Sequence, residues 1–476
     1  MKLAFVNLTR TFEDSHGLTF LYLSAYIKHY KPNVQIDFVD INYDDVTAKL
    51  IEVKPDLIGI TSTSLEYPNT IRFCKKLREN SQFTFLPIII GGVHISTMPS
   101  SFHPVFDVGV LYDGEVPLLD LVNRFEEKGD LKDISDIKSL IYLKDGKLVT
   151  TDPATQVSNI NDMPLPDYSI LNKEYFRVKM VNGLLRKGRE ATIITARGCP
   201  YKCAFCSAAA FNAKYRAYSM DNVFKIIKDL HDTYGIDVFN VMDDLFTASI
   251  SRIRNLITIL KEHDLLGKIK FKCECRADSF VEETAQVLKE LGVVSIIFGF
   301  ESGSEKSLQF LKARTTTVEQ NKSAVVVATK YGFQVVANII IGVPGEKIED
   351  LKDTYAFFKF CQKHNCYDIP VYVLVPFPGT TVWQIAVDRG KIKPCDNWEF
   401  FDEAVFTMNN LKNPLLLDPD VPLKKFQKYY FKMVSAMKKR MLKYFFQRLI
   451  HDGPNLMLQT VKHPKRAMSV IKDLLT

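Results

Sequence analysis

Twice along this 476-residue chain, short apolar runs alternate with segments of helical period. In the first series "KLAFVNL", "QIDFVDI", "LIGITST", "PIIIGG" and "VGVLYDG" read as strands. "LTFLYLSAYIKHY", "YPNTIRFCKKLRE" and "VPLLDLVNRFEEK" read as helices between or after them. This rhythm predicts an open, doubly wound parallel sheet covered on both faces, with ligands beyond the carboxyl ends of its strands. The second series begins at "EATIITARG" and runs through "DVFNVMDD", "KFKCECRAD", "SIIFGFES", "VVANIIIGVPGE" and "PVYVLVPFPG". About six strand–helix units predict an α/β fold of the partial or complete (β/α) barrel type, with its chemistry at the strands' carboxyl ends. The expected division is 1–135 for the first domain, 136–188 for a linker, 189–400 for the barrel and 401–476 for a helical extension. The linker reading rests on the prolines of "NDMPLPDYSIL".

Composition excludes several classes. Hydrophobic residues make up 46% and charged residues 25% of the chain, the balance of a folded soluble protein. Nine cysteines over this length do not read as a disulfide framework. "MKLAFVNLTR" meets a charge at Arg10 too early for a signal peptide, so a cytoplasmic location with free thiols is expected. The net charge of +7 is concentrated in residues 421–476, which hold ten Lys and three Arg against two Asp. There "KKFQKYYFKMVSAMKKRMLKYFFQRLI" mixes aromatics with lysines. Such a helix either packs its apolar face on the barrel or touches an anionic membrane surface. No recognised nucleic-acid module accompanies it.

The stretch that carries chemistry is "RGCPYKCAFCSA", with Cys199, Cys203 and Cys206 on the loop after the first barrel strand. Thiolates suit zinc or iron–sulfur centres, and structural zinc is usually closed by four ligands. The next cysteine, Cys273, is a strand away. Either a distant residue completes a zinc site, or three thiolates hold a 4Fe–4S cluster with one iron open.

The C-x3-C-x2-C spacing, with Phe205 before the last cysteine, resembles the radical S-adenosylmethionine (SAM) superfamily across the second domain. The resemblance implies SAM on the open iron, reductive cleavage to a 5′-deoxyadenosyl radical, and a low-potential donor such as flavodoxin or ferredoxin. It implies SAM contacts at Phe205, at Asp243 and Asp244 of "NVMDDLFT", and at Glu301 and Ser302 of "FGFESGSE". It extends them to Arg314 of "LKARTT" and to Ile341 and Gly342 of "NIIIGVPGE". A guanidinium fork suits a carboxylate, and a carboxylate suits ribose hydroxyls. An Asp-Asp pair at a strand end also serves as a helix cap or solvated turn.

A sheet domain ahead of such a barrel resembles the cobalamin-dependent, class B type radical SAM enzymes. By that resemblance Thr61, Ser62 and Ser64, Gly91 and Gly92, and Gly114 and Glu115 line a cobalamin site. In "FEDSHGLTF", Asp14 and His16 match the first part of a D-x-H-x-x-G signature, but glycine falls at 17 rather than 19. His16 is thus a candidate cobalt ligand that departs from the pattern. Relatives of this class include enzymes without that histidine. The function implied is C-methylation at an unactivated carbon of a small-molecule, lipid or peptide substrate. The alternative is ring or carbon–carbon bond formation on the same fold without methyl transfer. A non-catalytic iron–sulfur electron carrier is a third reading, from a different class.

Cys273 and Cys275 share one face of a strand. Either the two cysteines point into the barrel as radical-relay or auxiliary ligands, or, as is expected here, Glu274, Arg276 and Asp278 point inward and the cysteines pack under helices. Cys361, Cys366 and Cys395 do not repeat a ferredoxin spacing.

Overall fold

The first apolar run forms strand β1 (Lys2–Asn7), whose Leu3 and Phe5 join one core with Phe20, Ile27 and Leu121. Its Ala4 and Val6 join a second core with Leu50, Ile71 and Leu77. Side chains alternate across a strand, so covering both faces demands an unbroken apolar sequence. The computed structural model describes residues 1–9, 17–181, 186–211, 214–393, 411–412 and 414–438.

Strands β2 (Gln35–Asp40), β3 (Leu57–Thr61), β4 (Ile88–Gly91) and β5 (Val108–Val110) extend β1 in parallel, in the order β2-β1-β3-β4-β5. Helices α1 (Leu18–Tyr30), α2 (Val46–Val53), α3 (Tyr67–Arg78), α4 (Val93–Thr97) and α5 (Glu115–Lys128) connect and follow them. The sheet does not end at residue 135. Strands β6 (Leu140–Lys144) and β7 (Lys147–Thr150) add an antiparallel hairpin at its edge, making seven strands. Its turn, Asp145-Gly146, has positive φ at both residues (52° and 72°), a conformation that Asp-Gly readily adopts. The first sheet therefore takes in residues expected to belong to the linker.

After the ribbon of β8 (Lys179–Val181) and β9 (Arg186–Gly188), the chain enters the second sheet at β10 (Glu190–Ile193). A second ribbon, β11 (Ala196–Arg197) with β12 (Arg216–Ala217), encloses the cysteine loop. Strands β13 (Val238–Val241), β14 (Lys270–Cys275), β15 (Val293–Glu301), β16 (Gln334–Ile341) and β17 (Val371–Val373) then follow β10 in sequential parallel order, giving six strands. Unbranched order with helical crossovers is the open (β/α)6 barrel that the pattern predicts.

Cys273 and Cys275 are buried in the core around β14, while Glu274 between them faces the opening, as strand alternation requires. Cys361 and Cys366 are also buried in this core, and Cys395 lies outside the described residues. Residues 423–438 are helical and set Phe426, Met433 and Met437 into the barrel core. That is the packing arrangement of the two open to this segment. The rest of the basic extension lies outside the described residues. Among the described residues no helix is long and apolar enough to cross a membrane.

Candidate active site at the junction of the two domains

The cysteine loop is stitched across the barrel mouth by its backbone. Ala204 donates from N to the Leu311 carbonyl (2.9 Å) and accepts from Val382 N (3.1 Å). These bonds tie the loop to segments after β15 and after β17. Cys199, Cys203 and Cys206 are all half-buried free thiols, and burial pushes those of Cys199 and Cys206 up. Phe205 packs among Ala204, Leu311, Ile340, Leu374 and Trp383. Among the described residues no group of three His, Cys, Asp or Glu converges on a point that could hold a single metal ion. Three cysteines on one loop at C-x3-C-x2-C spacing supply thiolate donors that suit an iron–sulfur cluster with one iron left open.

Charged side chains from successive strand ends surround the loop. Asp243 is buried and faces the loop's base. It accepts from the backbone N of Thr195 (2.6 Å) and Ala196 (3.0 Å) and from the Thr195 hydroxyl. Burial pushes its pKa up to about 6 against the pull of those bonds. Among the described residues Asp244 accepts from Gly198 N (3.1 Å), and it is open to the mouth. Glu274 also faces the mouth. Water reaches it, yet the enclosing walls and then the Asp244 and Glu301 carboxylates raise its pKa, with Lys312 opposing. Glu301 ends β15 at φ 62° and is buried in an ion pair with Lys312 Nζ at 2.9 Å. A Cβ on Gly299 would collide with Glu301 Oε1 and lie 3.1 Å from Lys312 Nζ, so a side chain there would have to displace this pair. Lys312 Nζ also stands 5.9 Å from the Phe205 ring centre.

Two expected contacts turn out differently. The Ser302 hydroxyl is fully buried, bonded to Thr354 Oγ1 (2.9 Å) and accepting from Ser304 N (3.1 Å), so it fastens the turn after β15. Arg314 is exposed, and the cation beside Glu301 is Lys312 instead. Ile341 is buried in the core, and Gly342 (φ 81°) donates from N to Glu346 Oε2 at 2.7 Å.

In the first sheet Thr61 and Gly91 end β3 and β4 side by side. Gly91 has room around its missing Cβ, with Val110 O the nearest atom at 3.7 Å. Gly92 has none. At φ 101° its Cβ would sit 2.6 Å from Thr61 Oγ1 and 2.7 Å from the Ser62 carbonyl oxygen. Ser62 is buried and donates to the Thr63 carbonyl (2.9 Å). Ser64 is 3.0 Å from Nδ1 of His94, whose Nε2 is 3.0 Å from Ser101 Oγ. Burial holds the His94 pKa down at about 3, so it is a neutral structural imidazole. His16 lies outside the described residues, as does Asp14.

Residues 6–122 match the B12 binding domain family model, and residues 193–358 match that of the Radical SAM superfamily. The chain is a radical SAM enzyme with a B12-binding domain. It is 28% identical over 352 residues to an uncharacterized methyltransferase of Pyrococcus horikoshii, covering 73% of each chain. It is 25% identical to the anaerobic magnesium-protoporphyrin IX monomethyl ester cyclase of Rubrivivax gelatinosus, over 80% of this chain and 68% of that one. Its fold matches the cobalamin-dependent radical SAM enzyme OxsB with aqua-cobalamin bound (TM-score 0.67, 18% identity, 99% and 76% of the two chains). It also matches the radical SAM methyltransferase TsrM of Kitasatospora setae (TM-score 0.63, 19% identity, 82% and 76%). A 4Fe–4S cluster, SAM and cobalamin are the cofactors that these domains imply. The cysteine set fits the first by its donors and spacing, and the room at Gly91 fits close approach by a bulky ligand. Such an enzyme also needs a reductant and a substrate.

The B12-binding domain meets the radical SAM domain beside this loop. Helix α4, which follows the Gly91-Gly92 end of β4, packs on the short helix Ser207–Ala210 after Cys206. Tyr112 sets its ring 5.9 Å from that of Phe211, edge on. At the neck of the loop, Arg197 and Arg216 stand opposite one another in the β11–β12 ribbon. Like charges so placed repel. Two carboxylates of the B12-binding domain neutralise them: Glu115 is 2.7 Å from Arg197 Nη1, and Asp113 is 2.7 Å from Arg216 Nη1. Both Glu115 and Arg197 are largely buried. Glu115, read from the sequence as a cobalamin contact, is thus held by the other domain. Arg197 adjoins the motif, but nothing in the sequence pairs it with Glu115. Lys312 lies two positions before the cation chosen from "LKARTT", and only its burial beside Glu301 distinguishes it.

Proposed function

We propose that this enzyme transfers a methyl group to an unactivated carbon. The observation that carries the reading is the junction: α4, which follows the Gly91-Gly92 strand end of the B12-binding domain, packs on Ser207–Ala210 beside the last cysteine. The chemistry that the bound groups supply is reductive cleavage of SAM to a 5′-deoxyadenosyl radical and donation of a methyl group held on cobalt.

In this reading Cys199, Cys203 and Cys206 ligate the cluster and Phe205 covers it. Asp244 and Glu274 accept from the SAM amine, since they face the mouth with acceptor capacity to spare. Glu301 accepts from the ribose, and Lys312 takes the carboxylate role expected of Arg314. Asp243 and Ser302 brace the loops that carry these groups, and the Ile341-Gly342 turn borders the adenine. Thr61 and Gly91 border the corrin, while Ser62, Ser64 and Gly92 shape the strand ends behind them. A flavodoxin or ferredoxin class protein in a reducing cytoplasm would supply the electron.

The second reading, ring or carbon–carbon bond formation without methyl transfer, is favoured by the similarity to a protein named as a cyclase. Anaerobic reconstitution with SAM and a corrinoid separates the two. Formation of 5′-deoxyadenosine together with S-adenosylhomocysteine supports methylation. 5′-Deoxyadenosine alone, with corrinoid bound, supports the cyclase-type outcome.

A further inference from the structure

Arg276 follows β14 and is 8% exposed, with nearly every donor of its guanidinium committed. Nε reaches Asp278 Oδ1 at 3.1 Å, and Nη2 reaches Asp278 Oδ2 at 3.0 Å. Nη2 also reaches Thr315 Oγ1 (2.7 Å) and Thr316 Oγ1 (3.1 Å). The guanidinium carbon stands 3.5 Å over the ring centre of Tyr201, within the cysteine loop itself. A fork held on both edges and one face has little freedom left. Its remaining nitrogen, Nη1, points at the sulfur of Cys203 at 3.5 Å.

We infer that Arg276 is a positioning residue that sets the reduction potential of the cluster through the Cys203 thiolate. The inference rests on the cluster assignment above. Hydrogen bonds to ligating sulfurs are a recognised control on iron–sulfur potentials. An N–H aimed at a thiolate draws electron density from sulfur and so favours the cluster that has gained an electron. The guanidinium stays charged at any working pH, and Asp278 offsets much of that charge. The directed Nη1 contact is therefore the distinctive contribution. Arg276 holds the thiolate in a fixed electrical environment while a one-electron donor fills the cluster.

The test is a redox titration of the reconstituted full chain, without SAM, followed by electron paramagnetic resonance. Arg276→Gln keeps a polar side chain but loses the fork and the charge. At a fixed potential its ratio of reduced to oxidised cluster should fall roughly tenfold, equivalent to about 59 mV for one electron. Arg276→Lys, which keeps only the charge, should fall between Gln and wild type. Equal midpoints in loaded wild type and loaded Arg276→Gln overturn the inference and leave the cluster intact as an assignment. Wild type that takes up no iron overturns the assignment itself. If neither variant loads although both keep the wild-type circular dichroism, Arg276 holds the loop together and does not tune the cluster.

Discussion

The strand ends of the two domains treat their polar residues in opposite ways. In the B12-binding domain most are satisfied by their own chain or its neighbour: Ser64 by His94, Ser62 by the Thr63 carbonyl, Glu115 by Arg197. In the radical SAM domain several keep free capacity toward the mouth. Asp244 accepts from Gly198 N, Glu274 faces a half-enclosed opening, and the three thiols are only half-buried. Partial desolvation raises the pKa values of Asp244 and Glu274 and so disfavours their charged forms, and folding alone does not account for that placement. The difference separates residues that shape a site from residues that use it.

The sharpest way to break this comparison is to remove a residue on the using side. Cys203→Ala should abolish stable cluster assembly, with iron and sulfide falling to background after anaerobic reconstitution, and 5′-deoxyadenosine formation should vanish with it. The fold should persist, because Cys203 is half-exposed outside the main core. Circular dichroism checks that half of the expectation. Full cluster content in the variant would return Cys203 to the class of shaping residues.

Next in size is the domain clamp. Removing one partner of a buried ion pair strands the other charge and typically costs about 3–5 kcal/mol. Glu115→Ala should lower the unfolding free energy read from a urea titration, toward the low end of that range, since its partner Arg197 has only 18% of its side chain exposed and keeps only the more distant Asp113 at 4.0 Å. The exchanged pair, Glu115→Arg with Arg197→Glu, should recover part of the loss. Equal destabilisation by the exchanged pair and the single variant would show that Glu115 acts through packing, not charge.

Glu346 gives a smaller, pH-dependent effect on the same footing as the mouth carboxylates. Burial pushes its pKa up to about 8, with Asp350 and Asp418 adding to the rise. Its Oε1 has no hydrogen-bond partner among the described residues. The folded state thus holds this proton more tightly than the unfolded chain, where the carboxyl titrates near 4.5. Its stabilising share is complete below about pH 4.5 and is lost as pH rises toward about 8, on the order of a few kcal/mol in all. Glu346→Gln keeps an acceptor for Gly342 N and should flatten the fall in stability between pH 5 and 8. An unchanged slope would place the titration elsewhere.

Much of this was legible in the sequence, for reasons that the comparison explains. Strand and helix periods announce two parallel sheets because burial on both faces leaves no polar positions inside β1 or β4. The cysteine loop is legible because its ligands are close in sequence. Glu274 was legible too, through alternation along "KFKCECRAD". The edge hairpin β6–β7 was not separated from the linker, although its Asp-Gly turn carried the signal. The Arg197–Glu115 pair, the Lys312–Glu301 pair and the aim of Arg276 at Cys203 all depend on contacts between segments apart in sequence. No local period encodes those.

Two adjacent glycines make the finest test of shaping against using. Gly92→Ala forces a Cβ within 2.8 Å of backbone at φ 101°, and such strain costs about 1–3 kcal/mol. Loss of cobalamin binding in that variant would follow from damage to the strand end. Gly91→Ala differs: its Cβ meets only Val110 O at 3.7 Å, an ordinary contact. Thermal stability without corrinoid should therefore match wild type to within about 0.5 kcal/mol, as for a substitution away from strained or packed features. If the corrin lies against this strand end, the added methyl occupies space that the ligand needs, and corrinoid affinity should fall severalfold in an absorbance titration. Unchanged affinity in a fully stable Gly91→Ala would move the corrin away from β4 and take from the methyl-transfer reading the junction on which it rests.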